Sequence, residues 1–286
     1  MKFSIITPSF RNSVWLKLCI PSIADQSGVT LEHIVQDSCS DDGTGNWLPN
    51  DTRVKAFIEK DSGMYDAVNR GFRRAQGEIL AYLNCDEQYL PGALKKVGDF
   101  FDAHPDVETV FSDTIVTDAA GNYICHRASL VPGKASVWER FPLTCAIFLR
   151  RSVVYDRGIE FDTKWRDLGD FWWMREFVER GVRMAVLPEL TSVFADTGDN
   201  MNLKPNAWRE RGEKERMTPR WIKLLKPYFV VQSRLRLALR TAAHRPPFDY
   251  SLYTMASPTR RVVFHAAHPT TFWKGRMHLK PVTAAP

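Results

Sequence analysis

Three polar clusters stand where apolar runs stop: Thr7-Pro8-Ser9-Phe10, then Asp37-Ser38-Cys39-Ser40-Asp41-Asp42-Gly43-Thr44, then Asn84-Cys85-Asp86-Glu87. Carboxylates, amides and hydroxyls offer oxygen ligands to a hard cation and hydrogen-bond partners to a hydroxyl-rich substrate. A fourth acidic stretch, Trp165-Arg166-Asp167-Leu168-Gly169-Asp170, leads into an aromatic run. Each cluster alone also reads as a loop capping the next helix, the ordinary task of Ser, Asp and Thr after a strand. Their coincidence points to a site, because open α/β sheets bind ligands at the carboxyl ends of their strands.

The positioning elements follow from periodicity. Phe3–Thr7, Glu32–Gln36, Arg53–Glu59 and Ile79–Leu83 read as short strands, and each ends at or near a polar cluster. Between them, Trp15, Leu16, Cys19, Ile20 and Ile23 recur at helical spacing, as do Val68, Phe72 and Ala75 before Gly77. Pro91 opens a further helix through Phe101. Strand alternating with helix predicts an α/β layer with a largely parallel sheet. After His104-Pro105 the pattern changes to shorter strands, near Glu108–Ser112, Tyr123–Arg127 and Arg183–Leu187, with a helix over Phe171–Arg180. A polar loop runs from Asp196 to Pro205.

Composition narrows the class. The 286 residues suffice for one large domain or a domain with an appendage. No run approaches the roughly 18 apolar residues of a spanning helix, and the first residues read as a strand rather than a secretion signal. Five scattered cysteines without metal spacing fit a reduced, cytosolic compartment. Charge is segregated: residues 204–286 carry 17 basic against 4 acidic side chains, and residues 1–203 carry 22 against 29. The expected division is therefore an acidic catalytic body, 1–203, and a basic, helical or irregular extension, 204–286, that meets something anionic.

In order and separation, the stretches Ile34–Thr44, Glu59–Gly71, Ala75–Glu78 and Leu83–Glu87 resemble the motifs of family 2 glycosyltransferases of the GT-A fold. The match covers roughly residues 2–100 and continues more weakly to about 195. The resemblance implies a nucleotide-binding, open, mostly parallel sheet flanked by helices. It also implies a nucleotide-sugar donor, a UDP-sugar by preference, and a sugar or lipid-linked sugar acceptor. Asp37 would read the base through its ring N–H. Thr7, Pro8, Ser9 and Phe10 would surround the nucleoside, with Phe10 as an apolar wall. Gly63, Asp66 and Asn69 would face the diphosphate and sugar; the plainer reading makes Asp66 a first-turn helix acid and Asn69 a solvent-facing amide.

Asn84-Cys85-Asp86 takes the place of the family's Asp-x-Asp motif for Mn²⁺ or Mg²⁺, with Asn84 replacing the first carboxylate. The resemblance then makes Asp86 the metal ligand and Glu87 a helper; Asn84 and Cys85 fall on the nucleotide-sugar side, Cys85 as a small buried spacer. Asp170 corresponds to the base that deprotonates the acceptor, Asp167 is the reserve, and Asp170 as a simple helix cap is the alternative. One of Trp165, Trp172 and Trp173 would belong to the acceptor pocket. The mechanism implied is a single inverting displacement, with the Asp196–Pro205 loop closing over the donor.

In the extension, residues Tyr228–His244 set on a helix put most apolar side chains on one side and Arg236 and Arg240 on the other, with Arg234 out of place. Residues 220–245 thus read as a surface for anionic lipid, which would make the enzyme peripheral on the inner face of the plasma membrane. A basic helix packed on the acidic body is the competing reading, and no nucleic-acid motif accompanies the charge. Rival functions are a degenerate nucleotide-binding scaffold, kept open by Asn84, and a nucleotidyltransferase, for which Thr7–Asn12 offers only Arg11.

Overall fold

A computed structural model describes residues 2–198, 205–240 and 245–273. The four early apolar runs are β1 (Lys2–Ser9), β2 (Thr30–Asp37), β3 (Lys55–Ile58) and β4 (Ile79–Tyr82), parallel in the order β3-β2-β1-β4. Helices α1 (Ser13–Ala24), α2 (Thr44–Trp47) and α3 (Met64–Arg74) lie in the crossovers. Side chains alternate across the sheet. Phe3, Ile5, Ile79 and Ala81 pack with Cys19 and Ile23 of α1, while Ile6, Leu80 and Tyr82 pack with Val68 and Phe72 of α3. Covering both faces is what makes these strands unbroken apolar runs in sequence. The chain leaves β1 toward β2 on one side and returns through β4 on the other. The strand order therefore reverses at β1, and the loops after β1 and β4 diverge to leave a crevice.

The second half continues the sheet. Its elements are β5 (Glu87–Tyr89), α4 (Ala93–Ala103), β6 (Thr109–Asp118), β7 (Tyr123–Arg127), β8 (Ile147–Arg150), α5 (Arg151–Tyr155), α6 (Gly169–Glu179) and β9 (Met184–Asp196). Strand β8 is antiparallel to β4 and β6, whereas β6 and β9 run parallel. Strands β6 and β9 outrun the spans expected from sequence, and Pro188 explains the shortfall in β9. The ladder steps from Ser112↔Leu187 to Asp113↔Leu190, so Pro188 and Glu189 are carried out of the pairing as a bulge and the strand resumes beyond them.

The last third holds α7 (Pro205–Met217), α8 (Arg220–Leu224), α9 (Lys226–Leu239) and a hairpin of β10 (Phe248–Thr254) and β11 (Ser257–Ala266). The hairpin corrects the expectation of an irregular tail. Tyr250 and Leu252 alternate inward onto Leu90, Ile115 and Val193, and both amide atoms of Gln88 pair with the Tyr253 backbone. The hairpin therefore packs onto the body.

Candidate active site

At the carboxyl ends of β1 and β2, Ser9 stands opposite Asp37. The Asp37 carboxylate is fully buried and accepts from the Ser9 hydroxyl at 2.8 Å, the Ser40 N–H at 2.8 Å and the Ser40 hydroxyl at 2.7 Å. It ties the two loops together, so a base N–H reading this carboxylate has to share it with Ser40. Both loops carry a non-glycine residue in the left-handed region, Arg11 at φ 51° and Cys39 at φ 55°, a strain that clusters at ligand sites. Phe10 is 51% exposed beneath the cations of Arg11 and Lys60. Thr7 departs from expectation. Its side chain lies on the α1 face with Phe3 and Ile5, as alternation along β1 requires, and its hydroxyl meets His33 Nε2 at 2.9 Å in the core.

The α3 segment sorts its residues differently from the motif reading. Gly63 sits at φ 136° with open space around its Cα, so glycine is required by the backbone and not by crowding. Asp66 accepts from the Ser62 N–H and hydroxyl and from Arg70, which fixes the 61–63 loop. Asn69 is 3% exposed, and both of its amide atoms pair with the Phe161 backbone at 2.9 Å. That corrects both sequence readings: it bridges α3 to the loop at Phe161, 92 residues on, instead of facing sugar or solvent.

After β4, the Cys85 thiol donates to the Pro8 carbonyl at 3.2 Å, which holds the Asn84–Asp86 turn beside the β1 loop. Burial pushes that thiol well above its ordinary value, so Cys85 acts as a packed spacer. Glu87 is 1% exposed; its carboxylate accepts the Asn84 N–H at 2.8 Å and supports the turn from inside. Burial raises the Asp86 and Glu87 carboxyls, Glu87 further because Asp86 lies beside it. Among the described residues no three His, Cys, Asp or Glu side chains converge as a ready-made metal cage. The donors nonetheless fit Mn²⁺ or Mg²⁺. Asn84 Oδ1 is buried without a hydrogen-bond partner among the described residues, and Asp86 is a carboxylate held in a drying environment that favours a cation beside it. Hard cations take such oxygen ligands and draw the remainder from substrate phosphates and water.

The acidic loop before α6 meets the other motifs in space. Arg166 donates to the Ser62 carbonyl at 3.3 Å, and the Asp170 N–H to the Tyr65 hydroxyl at 3.2 Å. A Cβ on Gly169 would stand 2.5 Å from the Tyr65 ring, so only glycine lets this loop seat against α3. Asp170 Oδ1 accepts the Phe171 N–H at 2.7 Å, leaving its other oxygen for a substrate. Burial pushes the Asp170 carboxyl up to about 6, an effect the Phe171 N–H and the Lys214 charge moderate. Asp167 instead accepts from the Asn206 amide of α7. Of the tryptophans, Trp165 and Trp173 are buried, and the partly buried Trp172 stacks on Trp165 at 4.6 Å. Sequence reasoning missed Tyr65, Glu210 and Lys214 as parts of this site. Tyr65 lies 105 residues from Asp170, and no spacing rule links them.

A concavity of about 410 Å³ opens elsewhere, lined by Gly28, Thr30, Lys95 and Asp102 near the amino ends of the strands. It shares no residue with the motif loops, whereas the carboxyls that burial raises, Asp86, Glu87 and Asp170, lie on the motif stretches.

A mixed sheet with a parallel first half and a switch point at β1, and acidic loops gathered at the carboxyl ends of its strands, define an α/β transferase of the GT-A type. The chain belongs to glycosyl transferase family 2, whose profile matches residues 4–157, more than half of its length. It is 36% identical over 99 residues to a Campylobacter jejuni "GalNAc(5)-diNAcBac-PP-undecaprenol beta-1,3-glucosyltransferase", covering 32% of each chain. It is 33% identical over 120 residues to a Mycobacterium bovis "PGL/p-HBAD biosynthesis glycosyltransferase", covering 40% of this chain and 47% of that one. The matched stretch thus spans less than half of these curated relatives. In fold, the chain resembles S. aureus TarS 1-349 in complex with UDP-GlcNAc (TM-score 0.60, 18% identity, 71% of this chain and 61% of that one). It also resembles the mannosyltransferase PcManGT from Pyrobaculum calidifontis in complex with GDP-Man and Mn2+ (TM-score 0.56, 19% identity, 85% and 76%).

Proposed function

We propose that this chain transfers a sugar from a nucleotide sugar, a UDP-sugar by preference, to an acceptor hydroxyl with inversion at the anomeric carbon. The observation that carries the reading is the contact chain along one sheet edge: Asp37 to Ser9, Pro8 to Cys85, Ser62 to Arg166 and Tyr65 to Asp170. It joins a nucleoside loop, an oxygen-ligand turn and the half-buried Asp170 carboxylate. Asp37 and Phe10 hold the base, and the Gly63 backbone lies close to the diphosphate. Asp86 and Asn84 Oδ1 would hold Mn²⁺ or Mg²⁺, which when bound supplies positive charge against the diphosphate leaving group. Asp170 accepts the acceptor proton as general base as the hydroxyl attacks opposite the diphosphate. The expected lid, Asp196–Pro205, falls largely on residues 199–204, outside the described residues.

A nucleotide-sugar hydrolysis screen with Mn²⁺, Mg²⁺ or EDTA, on wild type and Asp86→Ala, tests this. Metal-dependent release of one nucleoside diphosphate, lost in the variant, is expected. Tight nucleotide binding with no turnover from any donor or acceptor would instead support a degenerate scaffold.

The acceptor is a sugar or lipid-linked sugar of a surface polysaccharide or glycolipid, and the enzyme works peripherally at the cytoplasmic face of the plasma membrane. No helix among the described residues is long and apolar enough to cross a membrane. What supports a bilayer partner is the outer face of α8–α9. Leu224, Tyr228, Val231, Leu235 and Leu239 form one stripe, 80%, 58%, 54%, 59% and 85% exposed. Arg234 and Arg236 flank it on opposite sides at helical spacing, and residues 216–247 hold eight basic and no acidic side chains. Arg234 is therefore not out of place. Arg240 leaves the lipid-facing set, because it pairs with buried Asp113 of β6. The inner face meets the body through Phe229 and the Lys226–Glu139 pair, so the packed reading holds for that side. Flotation on phosphatidylglycerol-containing vesicles should be lost with Leu235→Glu/Leu239→Glu. A wild-type dimer that the same change splits would instead assign the stripe to a second copy.

A further inference from the structure

Helix α7 belongs to the stretch whose sequence reads as an appendage, yet Glu210 in its middle is fully buried. A carboxylate is almost never so buried unless it is paired. The nearby cation, Arg209, is 3.7 Å away with its side chain 58% exposed. The pairing comes from the backbone. Glu210 accepts the N–H groups of Arg166 at 2.8 Å, Asp167 at 3.0 Å and Leu168 at 2.8 Å, and the Asn206 amide at 3.0 Å. These three successive N–H groups precede α6, where no strand takes them, and an ionised carboxylate is the acceptor-only group that can take them together. Burial by itself would raise the Glu210 carboxyl, but the N–H groups of Arg166, Leu168 and Asp167 outweigh it and hold it below its usual value.

Two residues beyond Leu168, Asp170 is anchored from the opposite side by the Tyr65 hydroxyl of α3. The loop is thus clamped between α3, which begins at the donor motif, and α7. The titratable groups that act on Asp170 are Tyr65 of α3, Tyr82 of β4, and Glu210 and Lys214 of α7. Asn206 of α7 also takes the Asp167 side chain, so α7 grips both the backbone and the neighbouring carboxylate.

We propose that Glu210 is a positioning residue for glycosyl transfer: from α7 it fixes the 166–168 backbone so that Asp170 is held in reach of the acceptor hydroxyl. This rests on Asp170 being the general base. Misplacing a reacting group by about 1 Å costs on the order of 100-fold in rate, whereas the donor is held by the β1, β2 and α3 loops, which Glu210 does not touch.

The test compares the full-length wild type with Glu210→Gln, Glu210→Asp and Asp170→Asn. Glu210→Gln keeps the shape but turns an amide N–H₂ toward the loop's N–H groups. It should lower kcat about 10- to 100-fold, leave the donor KM and the UDP dissociation constant within about threefold, and move the rising limb of the kcat–pH profile down from near 6. Glu210→Asp should recover part of the loss. If folded Asp170→Asn keeps its kcat, the base reading fails and takes this inference with it. If Asp170→Asn is inactive while folded Glu210→Gln turns over like wild type with an unmoved limb, the base reading stands and the positioning role is overturned. Should Glu210→Gln not fold, Asn206→Ala decides: a lowered kcat at unchanged UDP affinity supports the clamp, and an unchanged kcat overturns it.

Discussion

Asp170→Asn should make the protein more stable and nearly inactive at once. In the folded chain the carboxyl stands near 6, against an ordinary 3.8, chiefly because burial penalises its charge. At roughly 1.36 kcal/mol per unit this is about 3 kcal/mol. The side chain is only half-buried, and solvent screening reduces the figure to about 2 kcal/mol. The sign follows from proton binding. Between about pH 4 and pH 6 the folded state holds the proton more tightly than the unfolded state, so wild-type stability falls as pH rises through that window. An amide does not titrate. The stability gap between variant and wild type should therefore be near zero below about pH 4 and reach about 2 kcal/mol above pH 6.5. Urea unfolding at pH 4 and pH 7.5 measures it, alongside transfer kinetics, where kcat should fall about 100- to 10,000-fold. Equal stability at pH 7.5, or a gap that does not change with pH, would sink the argument that Asp170 is held charged against its environment. A kcat within tenfold of wild type would remove its role as base.

Three further perturbations probe the frame. Gly169→Ala sets a methyl group 2.5 Å from the Tyr65 ring and should cost about 1–3 kcal/mol in thermal unfolding while lowering kcat; an unchanged unfolding midpoint would mean that the loop yields freely. Asp113→Asn strips the buried charge from Arg240 and Arg245 and should cost about 3 kcal/mol. Limited proteolysis would then cut between α9 and β10 faster than in wild type, and equal rates would count against Asp113 as the tether. Phe10→Ala, at an exposed rim, should leave stability within about 0.5 kcal/mol but weaken UDP affinity several-fold by calorimetry. Unchanged affinity would take Phe10 off the nucleoside.

Strand ends and helix starts in the first hundred residues were legible because burial on both faces writes itself as continuous apolar runs, and turns demand particular residues. Asp37 ends β2, Gly63 precedes α3, Asp86 follows β4 and Asp170 lies in the first turn of α6. Legibility fell where pairing is non-local. The β9 ladder resumes past Pro188 because β6 offers it an edge, and the β10–β11 hairpin forms against Leu90, Ile115 and Val193. Neither partner is visible in a local window.

By itself, the sequence determined the family, the order of the motifs and the segregation of acidic from basic halves, all of which are one-dimensional properties. Tertiary structure decided what each polar side chain is spent on. Thr7 goes to the core, Asn69 to the Phe161 backbone, Arg240 to Asp113 and Glu210 to the loop before Asp170. A buried polar atom must find a partner, and periodicity tells which face it lies on but not which distant N–H or carbonyl arrives there.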